Sequence, residues 1–379
     1  MNNQSRREFL THLGVTGCAA CLTSTAGAAS GDDPLISADG SWPVVEARHY
    51  TKLDELKIKC ELCPRECVIG DRERGYCGVR ENQDGTYYTL VHSRPCTYHV
   101  DPIEKKPLFH FLPGTQAFSI ATAGCNMECK FCQNWNISQF RPEQVRSYKM
   151  TPEDIARDAK KTGSASVAYT YSEPVIFYEY MYDCAVAARK EGVKSVMISN
   201  GYILEKPMRE LCAVLDGVKI DLKAMTEKFY TETCSGHLQP VLDTLVLLKE
   251  LGMWFELVVL IIPTLNDSPQ EIEQMAKWVY SELGPDVPIH FSAFHPMYKI
   301  QNLPRTPVRT LERCRKIARD AGLRFAYLGN VRGHPGEHTY CPECNEILIR
   351  RQGYIIIKNT IKNGKCPKCE ATIPGVWTA

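Results

Sequence analysis

From about residue 117 onward, short apolar runs alternate with longer stretches that place an apolar residue every three or four positions. The runs cover residues 117–121, 166–171, 195–199, 217–220, 255–262 and 289–294 and are rich in β-branched side chains. Continuous apolar runs of this kind read as strands buried on both faces. Between them the helical spacing predicts helices over 151–161, 176–191, 206–215, 240–251, 269–283 and 307–321, the first with Thr151 as N-cap. Each strand–helix pair has the roughly 30-residue length of a βα unit, which implies a parallel sheet with right-handed crossovers. A further short strand over 324–328 can close the series. The eight units of a full TIM barrel are not reached. The pattern therefore predicts an α/β fold, an open partial (β/α)6 TIM-like barrel, with a doubly wound open sheet as the alternative.

The pattern breaks at both ends. The chain opens with Arg6-Arg7 and Phe9-Leu10, followed by a mildly apolar stretch from Leu13 to Ala29 that ends near Ala26-Gly27-Ala28. A basic start, a modest apolar middle and an Ala-x-Ala end predict a twin-arginine (Tat) export signal over 1–29, too short and mild to span a bilayer. A Gly-, Asp-, Pro- and Ser-rich linker follows over 30–50. The rest divides into an N-terminal Cys-rich subdomain (51–115), the barrel (116–332) and a C-terminal four-cysteine segment (333–379). The 379 residues are 44% hydrophobic and 23% charged, with a net charge of +1. This balance excludes wholesale disorder, and its neutrality argues against a nucleic-acid-binding surface.

Cysteine is the unusual residue: there are 18. Cys60, Cys63, Cys67 and Cys77 form a first group, Cys125, Cys129 and Cys132 a second, and Cys341, Cys344, Cys366 and Cys369 a third. Short spacings of this kind read as metal ligation before disulfides. Cys96, Cys184, Cys212, Cys234 and Cys314 stand alone in the body, which predicts small buried hydrophobes; Cys18 and Cys21 belong to the export segment. The last group is two Cys-x2-Cys knuckles flanking a β-like segment. It predicts a closed tetrahedral site for zinc or a rubredoxin-like iron, with disulfides or an auxiliary iron–sulfur cluster as rivals. The first group has irregular spacing and does not choose between zinc and an auxiliary cluster; the reading favours zinc or another structural metal.

The central triplet follows the first predicted barrel strand directly, on the face where parallel α/β folds place active sites. Three thiolates on one loop can hold a [4Fe–4S] cube and leave one iron open to a substrate or cosubstrate; zinc completed by a distant ligand is the alternative. Cys125-x3-Cys129-x2-Cys132, with Phe131 before the last cysteine, resembles the signature of radical SAM enzymes. That resemblance implies a cluster whose open iron binds S-adenosylmethionine and cleaves it to methionine and a 5′-deoxyadenosyl radical, which abstracts hydrogen. Later strand ends agree. Tyr171-Ser172-Glu173-Pro174 stands where the family has Gly-Gly-Glu-Pro, so only Glu173 and the backbone carry over, toward the methionine ammonium. Ser199, Asn200, Asp221 and Lys223 resemble the positions that glycyl-radical activating enzymes use for the methionine and ribose, and His295 their histidine near the adenine.

Beyond the triplet, the mature chain resembles the radical SAM component of the AmmeMemoRadiSam system, a relative of pyruvate formate-lyase activating enzymes. The match runs from about Lys57 to Trp377. It is carried by Cys60-Glu61-Leu62-Cys63-Pro64-Arg65-Glu66-Cys67, by the stretch from Asp101 to Leu108, by Gln133-Asn134-Trp135 with Ile137-Ser138-Gln139, and by Pro374-Gly375-Val376-Trp377. The resemblance implies [4Fe–4S] and S-adenosylmethionine as cofactors, structural zinc, and a low-potential electron donor. It implies as partners the companion proteins of that system, Memo-like and its associate, and leaves the protein or small-molecule substrate open. An activase making a glycyl radical on a partner protein, or an inactive structural metalloprotein, are the alternatives. The signal implies export as a folded protein to the periplasm or membrane, whereas S-adenosylmethionine is a cytoplasmic resource.

Overall fold

The computed structural model describes residues 42–378; the predicted export segment and most of the linker lie outside them. Eight strands form the main sheet: β1 (Thr97–Pro102), β2 (Gln116–Ala121), β3 (Ser166–Tyr169), β4 (Lys194–Ser199), β5 (Gly217–Asp221), β6 (Phe255–Ile261), β7 (Ile289–Ala293) and β8 (Ala326–Gly329). Their spatial order is their sequence order, with β1 antiparallel to β2 and all later pairs parallel. A doubly wound sheet reverses its strand order partway. This one never does, and β1 and β8 remain its two edges, so the barrel is laterally open and the doubly wound alternative is excluded. Strands β3, β6 and β7 are buried along almost their whole length, as the continuous apolar runs require. Strand β1 escapes the apolar pattern because three of its six residues are exposed, as befits an edge. It belongs to the main sheet although the sequence groups it with the Cys-rich subdomain.

Six helices connect the parallel strands: α1 (Pro152–Lys161), α2 (Tyr178–Lys190), α3 (Glu205–Cys212), α4 (Gln239–Glu250), α5 (Pro269–Trp278) and α6 (Val308–Asp320). The predicted cap of α1 is present. Thr151 Oγ1 accepts from the Asp154 N–H at 3.2 Å, and the Asp154 carboxylate accepts from the Thr151 N–H at 2.9 Å. Ahead of the barrel, two small antiparallel sheets hold the first cysteine group. Part of the expected linker is ordered there, since Val45–Glu46 pairs with Thr86–Thr89. The C-terminal segment forms a third small sheet, Thr339–Tyr340, Ile347–Gln352 and Ile355–Asn359. No helix among the described residues is long and apolar enough to cross a membrane.

The C-terminal segment is fastened to the barrel by buried polar groups. Arg351 donates to the Phe109 carbonyl at 2.8 Å and to Thr339 Oγ1 at 2.7 Å. Glu256 accepts from the N–H groups of Phe109 and His110 and from His290 Nε2. His110 Nδ1 lies 2.7 Å from the Pro374 carbonyl, which can only accept, so Nδ1 carries the proton and Nε2 accepts from the Tyr327 hydroxyl at 2.5 Å. Gly375 lets the tail pass: a Cβ there would lie 2.7 Å from the His110 carbonyl oxygen. Burial pushes the His110 imidazole down to about 4. The unfolded chain therefore takes up this proton first. The associated stability is complete above about pH 6.5 and is lost as pH falls toward 4, by about 3 kcal/mol for a shift of this size. Urea midpoints measured between pH 7 and 4.5 are expected to fall through that window, with a shallower slope in His110→Gln; an equal slope in the variant contradicts the assignment.

Candidate active site

The loop after β2 carries Cys125, Cys129 and Cys132. Gly124 opens it with φ +94°, and a Cβ there would fall 2.5 Å from Val79 Cγ1 and 2.8 Å from the Cys77 carbonyl oxygen. Only glycine allows the Cys-rich subdomain to close on the loop this tightly. From the other side, the N–H groups of Glu128 and Lys130 donate to the carbonyls of Cys234 and Thr233 at 3.0 and 2.9 Å. Cys129 is buried and Cys125 and Cys132 are half-buried. The Met127 N–H points at Cys125 Sγ at 3.4 Å, and Ser138 Oγ lies 3.2 Å from Cys132 Sγ. Cys234 is buried, as a lone cysteine predicts, but it also holds its thiol against Cys129. That hydrogen bond, with the Lys223 ammonium working against burial, brings the Cys129 thiol down to about 7.

Glu173 follows the end of β3 and is 2% exposed. Its Oε1 accepts from Ser199 Oγ at 2.6 Å and from the Val175 N–H at 3.1 Å; Oε2 accepts from the Asn200 N–H at 2.8 Å. Burial pushes this carboxyl up to about 7 in spite of those bonds. Asn200 Nδ2 donates to Asn126 Oδ1 at 2.8 Å, and Asn126 Nδ2 to the Tyr202 carbonyl at 2.8 Å. Asn126 thus ties the strand ends to the cysteine loop, a role that no spacing in the sequence announces. At the end of β5, Asp221 pairs with Lys219, and Lys223 Nζ lies 3.9 Å from its second oxygen. Burial opposes the Lys223 charge, yet the Cys129 thiolate and Asp221 hold its pKa well above the ordinary lysine range.

Tyr171 occupies the first glycine position of the family's Gly-Gly-Glu-Pro segment and still adopts φ +63°, a left-handed conformation costly to a side chain. Its anchors explain how. Asn134 Nδ2 donates to its carbonyl at 2.8 Å, its hydroxyl donates to Asp101, and Lys106 Nζ lies 4.4 Å from its ring centroid. Lys106 is itself buried, 2.5 Å from Asp101, and burial lowers its ammonium to about 8 although Asp101 favours the charge. The stretch beginning at Asp101 therefore shapes the backbone that presents Glu173.

Cys125, Cys129, Cys132, Glu173, Asn200, Asp221 and Lys223 all line one cavity in the barrel interior. Ser199 acts through Glu173 from behind. His295 is exposed on the loop after β7 and is not among the residues that line this cavity. The C-terminal segment, expected as a separate ribbon, contributes Glu337, Gly353 and Tyr354 to the same cavity. A single tetrahedral zinc would need its thiolates about 3.8 Å apart. Among the described residues, no three of the thiols at 125, 129, 132 and 234 come within 4.8 Å of one another. The triplet lacks the close grouping of a single-ion site, and the acidic, amide and cationic groups line the same cavity.

The C-terminal group is different. Cys341 and Cys369 sulfurs lie 3.6 Å apart, those of Cys344 and Cys366 3.7 Å apart, and all four fall within 4.8 Å. This spacing matches a mononuclear tetrahedron and excludes the disulfide alternative, whose S–S bond is about 2.05 Å.

A partial barrel whose first parallel strand delivers three thiolates beside a charged cosubstrate pocket defines an enzyme class built around an open-sided iron–sulfur cluster. Comparison with known proteins agrees. The radical SAM superfamily profile matches residues 119–279. The chain is 45% identical over 328 residues to the uncharacterized protein MJ0808 of Methanocaldococcus jannaschii, covering 86% of this chain and 97% of that one. It is 21% identical over 228 residues to the pyruvate formate-lyase 1-activating enzyme of Escherichia coli, covering 54% of this chain and 89% of the other. Among solved structures, a radical SAM methyltransferase from Sphaerobacter thermophilus aligns with a TM-score of 0.47 at 14% identity, over 79% of this chain and 82% of that one. The chain belongs to the radical SAM superfamily.

Proposed function

We propose that this enzyme binds S-adenosylmethionine in the barrel cavity and uses it to abstract hydrogen from a substrate held deeper in the same space. A [4Fe–4S] cube held by Cys125, Cys129 and Cys132 would supply the electron that splits the sulfonium into methionine and a 5′-deoxyadenosyl radical. The observation that carries this reading is the convergence of the three thiolates, Glu173, Asn200 and Lys223 on one cavity wall. Glu173 offers a buried carboxylate to an ammonium, and burial raises its pKa. Lys223, kept charged by Asp221 and Cys129, offers donors to a carboxylate or a ribose hydroxyl. Glu337, Gly353 and Tyr354 of the C-terminal segment complete the cavity wall beside the barrel strands. Reduced, anaerobic protein incubated with S-adenosylmethionine is expected to release 5′-deoxyadenosine; none released in cluster-loaded protein refutes the reading.

Within the superfamily, the motifs around Cys60–Cys67, Asp101–Leu108 and Pro374–Trp377 favour the AmmeMemoRadiSam radical SAM group, with its companion proteins and a low-potential one-electron donor as partners. A glycyl-radical activase is the second reading, favoured by the likeness to the Escherichia coli activating enzyme over most of that protein's length. The tight four-thiol site at 341–369 is read as structural zinc, and the twin-arginine segment as an export signal, so the proposed location is periplasmic or membrane-associated.

Charge-assisted contacts of this kind contribute roughly 1.5–3 kcal/mol each. Glu173→Ala and Lys223→Ala are therefore expected to weaken S-adenosylmethionine binding about 10- to 150-fold while the cluster still assembles. Titration of the cluster's spectrum checks this; unchanged affinity in both variants moves the residues to the substrate side of the cavity.

A further inference from the structure

The structure contains two kinds of cysteine group, and the one at Cys60, Cys63, Cys67 and Cys77 is of the wider kind. The C-terminal four gather within 4.8 Å, the spread of ligands around one ion. Among the described residues, no three sulfurs of the N-terminal group come that close. Yet all four cysteines line a single small cavity, shared with the apolar side chains of Leu62, Val175 and Ile176 and with the cationic Arg65 and Arg80. Four thiols that face one small space without the close grouping of a single-ion site match the ligand set of a polynuclear centre. Among the described residues the central triplet, on its own loop, likewise forms no grouping within 4.8 Å.

The local backbone supports the same conclusion. The backbone amides of Leu62, Arg65 and Val79, each two residues past a cysteine, favour the thiolates of Cys60, Cys63 and Cys77 against burial. The Met127 N–H does the same for Cys125. Such N–H donors stabilise the anionic sulfurs of an iron–sulfur cluster and tune its potential. The irregular spacing also makes sense here, because Cys60 ends a strand whose N–H bonds the Cys67 carbonyl at 2.9 Å, while Cys77 arrives from a separate turn. The turns of the N-terminal group are therefore set by the surrounding fold rather than by paired knuckles. The Cys77 carbonyl packs against Gly124, the residue before Cys125, so the cavity abuts the central loop.

We propose that Cys60, Cys63, Cys67 and Cys77 hold a second iron–sulfur cluster, a closed [4Fe–4S] cube, in place of the single zinc that the sequence favours. With four protein ligands it has no open iron, so it does not bind S-adenosylmethionine.

The test uses the full chain, reconstituted anaerobically with ferrous iron and sulfide. Two cubes give about eight iron and eight sulfide per chain. A Cys125→Ala, Cys129→Ala, Cys132→Ala triple variant is expected to keep about four of each, with an electron paramagnetic resonance signal indifferent to S-adenosylmethionine. A Cys63→Ser, Cys67→Ser double variant is expected to keep about four as well, with a signal that S-adenosylmethionine changes. An iron-free triple variant that retains its far-ultraviolet circular dichroism overturns the proposal, as does wild-type protein carrying two zinc ions. Where the triple variant fails to fold, the double variant decides: iron and sulfide equal to wild type overturn the second cluster. Failure of the radical SAM reading looks different, since it removes the S-adenosylmethionine response of the wild type and leaves the iron of the triple variant untouched.

Discussion

Cys129→Ala is expected to abolish 5′-deoxyadenosine formation while leaving the chain folded and the C-terminal four-thiol site loaded. The loop supplies three thiolates, and a cube that must keep one iron open for cosubstrate has no ligand to spare. Cys129 is the buried member of the three, and the groups that favour its thiolate, Cys234 and Lys223, are both packed around it. Truncation to Ala removes a single buried sulfur, worth about 1 kcal/mol of apolar burial, too little to unfold a chain of this size. Lost chemistry with retained structure is therefore the expected combination. The measurements are product release by chromatography, iron content, and the thermal transition of the same sample. Full turnover by the variant would remove the triplet from the reaction.

Glu179→Ala is expected to destabilise the protein by about 3–5 kcal/mol, the cost of stranding one charge of a buried pair. Glu179 and Arg80 are each 1% exposed in their side chains. Arg80 Nη1 lies 3.2 Å from Glu179 Oε1, its Nη2 donates to Oε2, and its Nε donates to the Ile176 carbonyl at 3.2 Å. The Arg48 N–H also donates to Glu179, at 2.9 Å. With the carboxylate gone, the guanidinium stays buried with the Ile176 carbonyl as its one hydrogen-bond partner, beside the Cys60 and Cys77 sulfurs. This pair pins the Cys-rich subdomain to the first turn of α2, so the loss is expected to appear first as subdomain opening. Denaturant midpoints measure it. A double variant, Arg80→Met with Glu179→Leu, is expected to recover most of the stability, because removing both charges removes the desolvation cost. No recovery would mean that the geometry of the pair, and not its stranded charge, carries the effect.

The chain by itself determined what depends on neighbours in sequence. The βα alternation was legible because strands buried on both faces demand continuous apolar runs and the helices demand a period near 3.6. Thr151 was legible as a cap because its partner Asp154 is three residues away. The cysteine triplet and the two C-terminal knuckles were legible because one short loop or turn brings their thiols together. Glu173, Asn200, Asp221 and Lys223 were legible as a set through strand ends that the fold carries to one cavity.

Tertiary structure decided the rest, where partners are far apart in sequence and leave no periodic trace. Strand β1 joins the sheet by edge pairing despite its exposed pattern. Cys234 and Asn126 gain roles only because the turn at 230–234 and the end of β4 fold against the cysteine loop. His295 follows a strand end as expected, yet its loop turns it to solvent. Arg80 meets Glu179 across 99 positions, and Tyr354 reaches the barrel cavity from the C-terminal sheet. The difference between the N-terminal and C-terminal cysteine groups is of the same kind. Paired knuckles impose ligand spacing locally, whereas Cys60, Cys63, Cys67 and Cys77 take theirs from the packing of separate turns around a shared space.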